Sequence, residues 1–353
     1  MKFFKTVVLF LSIFILPLLL SGCLGASSQK QETPPDGGVF RSSDKGATWR
    51  QSVLISSVSG RPGNFAYADV VDWQMDPSDS NAIYYTARGQ GLLYTYDTGN
   101  SWQRSVALGK IKISDITVDP NDKCTIYIGT ANRVLKTEDC ARTWRQMYFD
   151  SDTKVKVRTV AIDYFDSDNI YVGLSRGEII KSLDKGETWQ TIARLKADIN
   201  RFIIDPNDNR VMYLHANKIA LRKSLDSGVT WESFNEPLKD NELGLGLNRM
   251  LLFSGEPEKM YLSTGLGIIY TIDNGETWSK IKIIPDEKKA GILDIAVNPQ
   301  NNKEIYYTTK TTFFRSNDNG ENWQTIKLPT TRKGSKLTIN PNKPNIIYLA
   351  AGR

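Results

Sequence analysis

Histidine occurs once in the 353 residues and cysteine three times. A Ser-His-Asp relay needs a histidine held beside a nucleophile. The single one, His215, stands in Met212-Tyr213-Leu214-His215-Ala216, a strand pattern in which the ring packs or faces solvent. Closely spaced His and Cys ligands of a zinc site are absent. Oxygen-rich turns such as Asp205-Pro206-Asn207-Asp208 and Asp166-Ser167-Asp168-Asn169 lack the Gly and distal Glu of a calcium loop. Gly265-Leu266-Gly267 is followed by no helix pattern and so is a hairpin turn, not a phosphate loop. No metal or cofactor is therefore expected. No apolar run reaches the roughly 20 residues of a membrane span. No long basic run accompanies the net charge of +6 and pI near 9.0. Nucleic acid is thus not an expected partner, whereas an anionic lipid or cell-wall polymer is compatible with the charge.

What the chain does contain is a repeat. Thr271-Ile272-Asp273-Asn274-Gly275-Glu276-Thr277-Trp278 recurs with small changes seven times, with its aspartate at Asp44, Asp97, Asp139, Asp184, Asp226, Asp273 and Asp318. Successive aspartates lie 53, 42, 45, 42, 47 and 45 residues apart. A period in this range, with short strands bounded by turn residues, predicts an all-β propeller of seven four-stranded antiparallel blades. The aspartate is expected to accept backbone N–H groups two and three residues on, Gly to supply the positive φ, and Trp to open the next strand and wedge against a neighbour.

A second phrase recurs in register: an apolar strand, Asp-Pro or Asn-Pro, a polar turn, then Ile-Tyr or Met-Tyr. Asp76-Pro77 with Tyr84 and Asp205-Pro206 with Tyr213 are examples; Asp163-Tyr164 and Phe253-Ser254 are degenerate copies. Each blade therefore reads as strand A, an Asp-Pro turn, strand B, a short turn, strand C, the Asp motif and strand D. The chain ends on a strand B, residues 346–350, and the propeller begins at residue 37 on a strand C, so the last blade is expected to close with strands from both termini.

The Asp motif, Ser/Thr-x-Asp-x-Gly-x-Thr-Trp, resembles the Asp-box (bacterial neuraminidase repeat) of a propeller group that includes sialidases, sortilin-type receptors, some xyloglucan hydrolases and photosystem II assembly factors. The resemblance covers nearly all the chain after the leader. It implies a structural role for the seven aspartates, away from the ligand face. The Asp-Pro then Ile-Tyr phrase is most similar to sortilin-type repeats. Sialidases use three arginines, a Tyr-Glu pair and an Asp acid on a six-bladed ring that starts with a Phe-Arg-Ile-Pro phrase absent here. The xyloglucan hydrolases work between two propellers, and this chain has one.

Ahead of the repeats, Lys2 and Lys5 precede the apolar run 6–20, which meets Leu20-Ser21-Gly22-Cys23. Residues 1–22 read as an export signal. The junction resembles a bacterial lipobox, which implies lipidation of Cys23 and a membrane-anchored protein of the bacterial cell envelope. Residues 23–36 form the lipidated Cys and a flexible tether with about 20 Å of reach; residues 37–353 form the propeller. Cys124 and Cys140 lie symmetrically about Asn132 across one hairpin and are expected to form a disulfide. The Asp motif of the same blade, which includes Cys140, has Ala141 in place of Gly, which must take an unfavourable φ or change the turn.

Strand order puts the B to C turns and the D to A links on one face, opposite the Asp motifs. In or beside the B to C turns lie Arg88, Arg133, Arg176, Lys218, Lys310 and Arg353. The long first link adds Phe65 and Tyr67 as contact candidates. Four residues before each Asp-Pro position, at the channel mouth, come Asp72, Asp115, Thr159, Arg201, Arg249, Asp294 and Lys336. The expectation is a monomeric, non-catalytic binding or assembly scaffold that uses this face for a protein or an anionic glycan. The alternative is a glycan-acting hydrolase working through Asp72, Arg201, Arg249 and Asp294.

Overall fold

The computed structural model describes residues 35–57, 60–284 and 291–352. The export signal, Cys23 and most of the tether lie outside these residues, as does Arg353. Twenty-eight strands build seven four-stranded antiparallel sheets. Blade 1 runs from Val70–Met75 to Gln103–Arg104, blade 2 from Asp115–Val118 to Arg145–Phe149, and blade 3 from Val157–Ile162 to Gln190–Arg194. Blade 4 runs from Ile199–Ile204 to Glu232–Ser233, blade 5 from Leu247–Phe253 to Ser279–Ile281, and blade 6 from Asp294–Val297 to Gln324–Lys327. In blade 7 the order is Arg50–Gln51, Gly38–Ser42, Ile347–Gly352, Lys333–Ile339, so both termini contribute. The first described residues are held to the ring by Asp36, whose Oδ2 accepts the Thr331 N–H at 2.6 Å and whose carboxylate pairs with Arg332.

The hydrophobic core is divided among the blade joints, and the Ile-Tyr phrase explains how. Successive side chains of a strand face opposite sheets, so the two residues of the phrase serve different joints. Tyr84 packs with Ile116 and Ile126 of blade 2, and Tyr127 with Val160 and Ile170 of blade 3. Tyr348 packs with Trp73 and Ile83 of blade 1. The hydroxyls find carbonyls of the next blade: Tyr84 donates to Lys123 O at 3.0 Å, Tyr127 to Lys185 O at 2.8 Å and Tyr348 to Thr98 O at 3.1 Å.

In all seven Asp motifs the carboxylate is bonded by the hydroxyl two residues earlier and by the N–H and side chain four residues later. This is a longer reach than the two to three residues the sequence suggests. In one copy Asp273 accepts Thr271 Oγ1 at 2.6 Å, Thr277 N at 2.9 Å and Thr277 Oγ1 at 2.5 Å. Two consecutive residues take positive φ in each turn, and Cys140 (58°) and Ala141 (69°) adopt this conformation without a glycine. Cys124 and Cys140 are joined as a disulfide with Cα atoms 4.0 Å apart. The pair sits just past the ladder, whose register sets Ile126 opposite Thr137 and leaves a two-residue turn at Ala131 and Asn132. A Cys140 N–H to Cys124 O bond continues the pairing.

Hydrogen bonds from the Thr143 and Thr188 hydroxyls hold the Asp139 and Asp184 carboxyls down at about 2. A depressed carboxyl stabilises the fold above its ordinary pKa and loses that contribution as pH falls through the folded value. The melting temperature is therefore expected to fall between about pH 4 and pH 2. Asp184→Asn should melt lower at pH 7 and lose less on acidification than the parent, as read by calorimetry. An identical pH slope in the variant would remove the motif from the acid response.

Candidate functional site

Five of the seven strands A carry a register shift just before the residue that faces the channel mouth: between Val70 and Asp72, Val157 and Thr159, Ile199 and Arg201, Leu247 and Arg249, and Gly334 and Lys336. A bulge inserts one residue and re-aims the next side chain. Strand B answers with small partners: Asp115 opposes Gly129, Thr159 opposes Gly173 and Lys336 opposes Ala350. A Cβ on Gly129 would come within 2.7 Å of Val157 Cγ1, so the ring leaves no room for a larger residue there.

The ring residues meet across the axis. Arg201 of blade 4 reaches Asp72 of blade 1, Nη2 to Oδ2 3.7 Å, and Lys336 Nζ lies 3.6 Å from Asp72 Oδ1. Arg249 Nη1 lies 3.6 Å from Asp294 Oδ2. These separations are ion pairs too long for direct hydrogen bonds. The Arg201, Arg249 and Lys336 head groups therefore keep donor capacity for a ligand. Two of the acids also brace the ring: Asp115 Oδ2 accepts Val160 N and Asp294 Oδ2 accepts Leu337 N, each at 2.8 Å and each from the next blade.

Asp72 and Asp115 are neighbours with opposite electrostatics. Both are buried, which disfavours charge, but the Arg201 guanidinium and the Lys336 ammonium outweigh this at Asp72 and hold its carboxyl below the usual range. Asp115 is pushed up to about 7 by burial and then by the Asp72 charge. Such divergence within a carboxyl pair is how one site holds a proton donor and an ionised carboxylate together.

Beside this pair, between the innermost strands of blades 4 and 5, lies a cavity of about 470 Å³ lined by Tyr164, Asn200, Arg201, His215, Arg249 and Lys336 among others. Its volume is in the range of small-molecule sites. Tyr164 occupies the position that is Pro in most blades, and it puts a phenol ring on the cavity that Pro206 of the next blade also lines. This role was hidden in the degenerate Asp163-Tyr164 copy, whose lost Pro was its signal. His215 stays close to Asn200 Nδ2, its Nδ1 3.3 Å away, and burial lowers its pKa.

The rim is less uniform than the sequence implies. Phe65 is 2% exposed and packs on Trp102 and Tyr85, with ring centroids 5.4 Å apart in both cases, so it is a core residue and not a contact residue. Its neighbour Tyr67 is exposed. Arg176 is engaged by Asp150 at 2.8 Å and Glu178 at 2.6 Å, and Arg133 lies over the Phe149 ring. Arg88, Lys218 and Lys310 are exposed and line none of the cavities at the mouth.

Fold and motif define a seven-bladed Asp-box β-propeller with a charged channel mouth. The family model Sortilin-Vps10 (sortilin, neurotensin receptor 3) matches residues 267–352. A xyloglucanase of Hypocrea jecorina (strain QM6a) is 27% identical over 197 residues, 45% of this chain and 23% of that protein. A xyloglucanase of a Paenibacillus species is 27% identical over 136 residues, 31% of this chain and 13% of its own length. The chain thus spans less than a quarter of the curated relatives it matches. Among solved structures, the GH74 xyloglucanase of Xanthomonas campestris superposes with a TM-score of 0.65 at 17% identity, covering 86% of this chain and 52% of that one. YCF48 bound to D1 peptide superposes with a TM-score of 0.60 at 17% identity, covering 81% and 93%. The structural likenesses show the fold alone. The curated relatives are xyloglucanases, which overturns the expectation of a non-catalytic scaffold in favour of the glycan-acting alternative.

Proposed function

We propose that this protein is a glycan-acting hydrolase whose site is the channel mouth. The observation that carries the reading is the buried carboxyl pair Asp115 and Asp72, the first pushed up by burial and its neighbour's charge and the second held down by Arg201 and Lys336; the pair lines a cavity of about 130 Å³ that shares Asn200, Arg201 and Lys336 with the 470 Å³ one. Glycoside hydrolysis needs a carboxylic acid to protonate the leaving oxygen and a second carboxylate on the other side of the sugar. Asp115 on blade 2 supplies the acid. Asp294 on blade 6 is three blades away in a ring of seven, which is the far side, and it supplies the carboxylate that draws a proton from the attacking water. Asp72 is too close to Asp115 to be the second member of such a pair, so its part is to hold the proton on its neighbour. Arg201, Arg249 and Lys336 offer donors to sugar oxygens. The xyloglucanase relatives support a polysaccharide substrate. Reducing-end release from xyloglucan and a panel of other plant and bacterial polysaccharides tests the reading. Release by the parent that is lost in both Asp115→Asn and Asp294→Asn is expected; release unchanged in both would place the chemistry elsewhere.

We further propose that the protein works at the cell envelope, exported by residues 1–22 and anchored through lipid on Cys23; the support is the sequence of the leader alone. Cys23→Ser is expected to move the protein from the membrane fraction to the soluble fraction. Equal partitioning of parent and variant would contradict the anchor.

A further inference from the structure

The joint between blades 4 and 5 is built unlike the others. The residue three positions after each Asp-box Trp faces the neighbouring blade, and in chain order it is Ser52, Ser105, Met147, Ile192, Phe234, Ile281 and Ile326. Phe234 is the largest. Its ring lies between Tyr213 of blade 4 and Trp278 of blade 5, with centroids 5.4 and 6.3 Å away. Blade 5 also lacks the Asp-Pro turn, and a two-residue hairpin turn at Ser254 and Gly255 replaces it. These changes leave a second cavity, of about 390 Å³, on the Asp-box face of the joint.

Tyr213 identifies this cavity as more than a packing gap. It is only 4% exposed, and its hydroxyl makes no hydrogen bond among the described residues; Tyr127 and Tyr348 at the same position reach a carbonyl in the next blade's Asp-box, while Tyr171, also unbonded, lines neither this cavity nor the mouth. The matching residue here, Asn274, lines the far wall of the cavity instead. The other polar walls are also short of partners. Glu258 has no side-chain hydrogen bond or ion pair among the described residues. The Lys223 ammonium lies 5.6 Å over the Tyr213 ring and 5.5 Å over that of Phe234, with no carboxylate of the described residues in ion-pair reach. Asp205 and Asp208 complete the lining; one oxygen of Asp205 is used by Asn207, and Asp208 is paired with Arg210. A buried phenol and an ammonium offer donors, and carboxylates offer acceptors, around aromatic surface. The carboxylates outnumber the single cation and oppose an anion. No group of three or more His, Cys, Asp or Glu among the described residues is placed to hold a metal ion. A neutral, hydroxyl-rich ligand satisfies both kinds of group at once.

We propose that this cavity is a second saccharide-binding site, for a neutral sugar unit, on the face opposite the channel mouth. It does not depend on hydrolysis at the mouth, because it is tested by binding alone. The probe is cellobiose, titrated by NMR into the full chain carrying Asp115→Asn so that no turnover intervenes, with the Trp278 indole resonance as reporter. A saturable shift is expected, weakened at least five-fold by Tyr213→Phe and by Glu258→Gln, unchanged by Arg249→Gln at the mouth, and weaker for glucuronate than for cellobiose. Neither Tyr213→Phe nor Glu258→Gln removes a hydrogen bond made among the described residues; Tyr213 also lines the mouth cavity, so Glu258→Gln is the variant confined to this site. Absence of a saturable shift, or equal affinity in the Tyr213→Phe and Glu258→Gln variants, would overturn the proposal.

Discussion

Deleting residues 346–353 is expected to leave a chain that no longer folds cooperatively. All six residues of Ile347–Gly352 are buried. The strand lies between Gly38–Ser42 and Lys333–Ile339, so its loss cuts Gly38–Ser42 off from the rest of the sheet and opens the ring. Ile347 and Leu349 fill the joint with blade 6, and Tyr348 and Ala350 fill the joint with blade 1. Burial of each of the three large side chains is worth about 2 kcal/mol. Set against a typical total stability of about 5–15 kcal/mol, that loss alone is severe, and two sets of ladder hydrogen bonds go with it. Calorimetry should show no native transition. Tyr348→Phe, which removes only the hydroxyl bond to Thr98 O, should cost about 1 kcal/mol and keep a sharp transition. A truncated chain that melts like the parent would refute closure by the two termini.

Asp115→Asn should lower glycan turnover by about 10²- to 10⁴-fold, the usual contribution of a positioned acid, while the fold survives because an amide oxygen can still accept the Val160 N–H. The pH profile gives the sharper test. Asp115 is the acid form below its raised pKa, so kcat/KM should fall along an alkaline limb well above the ordinary range for an aspartate. Asp72→Asn removes the negative charge that helps hold that proton, so Asp115 releases it more readily. The limb must then move to lower pH. An alkaline limb that stays in place in Asp72→Asn would mean that the titrating group is not Asp115.

The propeller was legible because its motifs are demands of local backbone geometry. An Asp followed by two positive-φ residues and a Thr that bonds back to it is recognisable wherever it occurs, and seven copies fix the blade count. The mouth was legible for a related reason: counting four residues back from each Asp-Pro position reaches one ring in every blade, including the two degenerate copies at Asp163 and Phe253. The electrostatics of that ring were not legible. That Arg201 crosses the channel to Asp72, and that Asp115 is pushed up while Asp72 is held down, depends on which long side chains meet after closure. Phe65 failed as a contact residue because its loop folds back, Phe65 N to Val53 O 3.2 Å, and places the ring against Trp102. The disulfide pair lay within reach of hairpin counting, although the observed two-residue turn shifts the register by one.

The central claim is that this single propeller breaks glycosidic bonds with water at its channel mouth. Digestion of xyloglucan and the wider polysaccharide panel in H₂¹⁸O, followed by mass spectrometry of the new reducing ends, tests it most directly. New ends carrying one ¹⁸O in the parent and absent in Asp115→Asn are the predicted result. No labelled ends from any polysaccharide, or the same labelled ends from Asp115→Asn at the parent's rate, would contradict it.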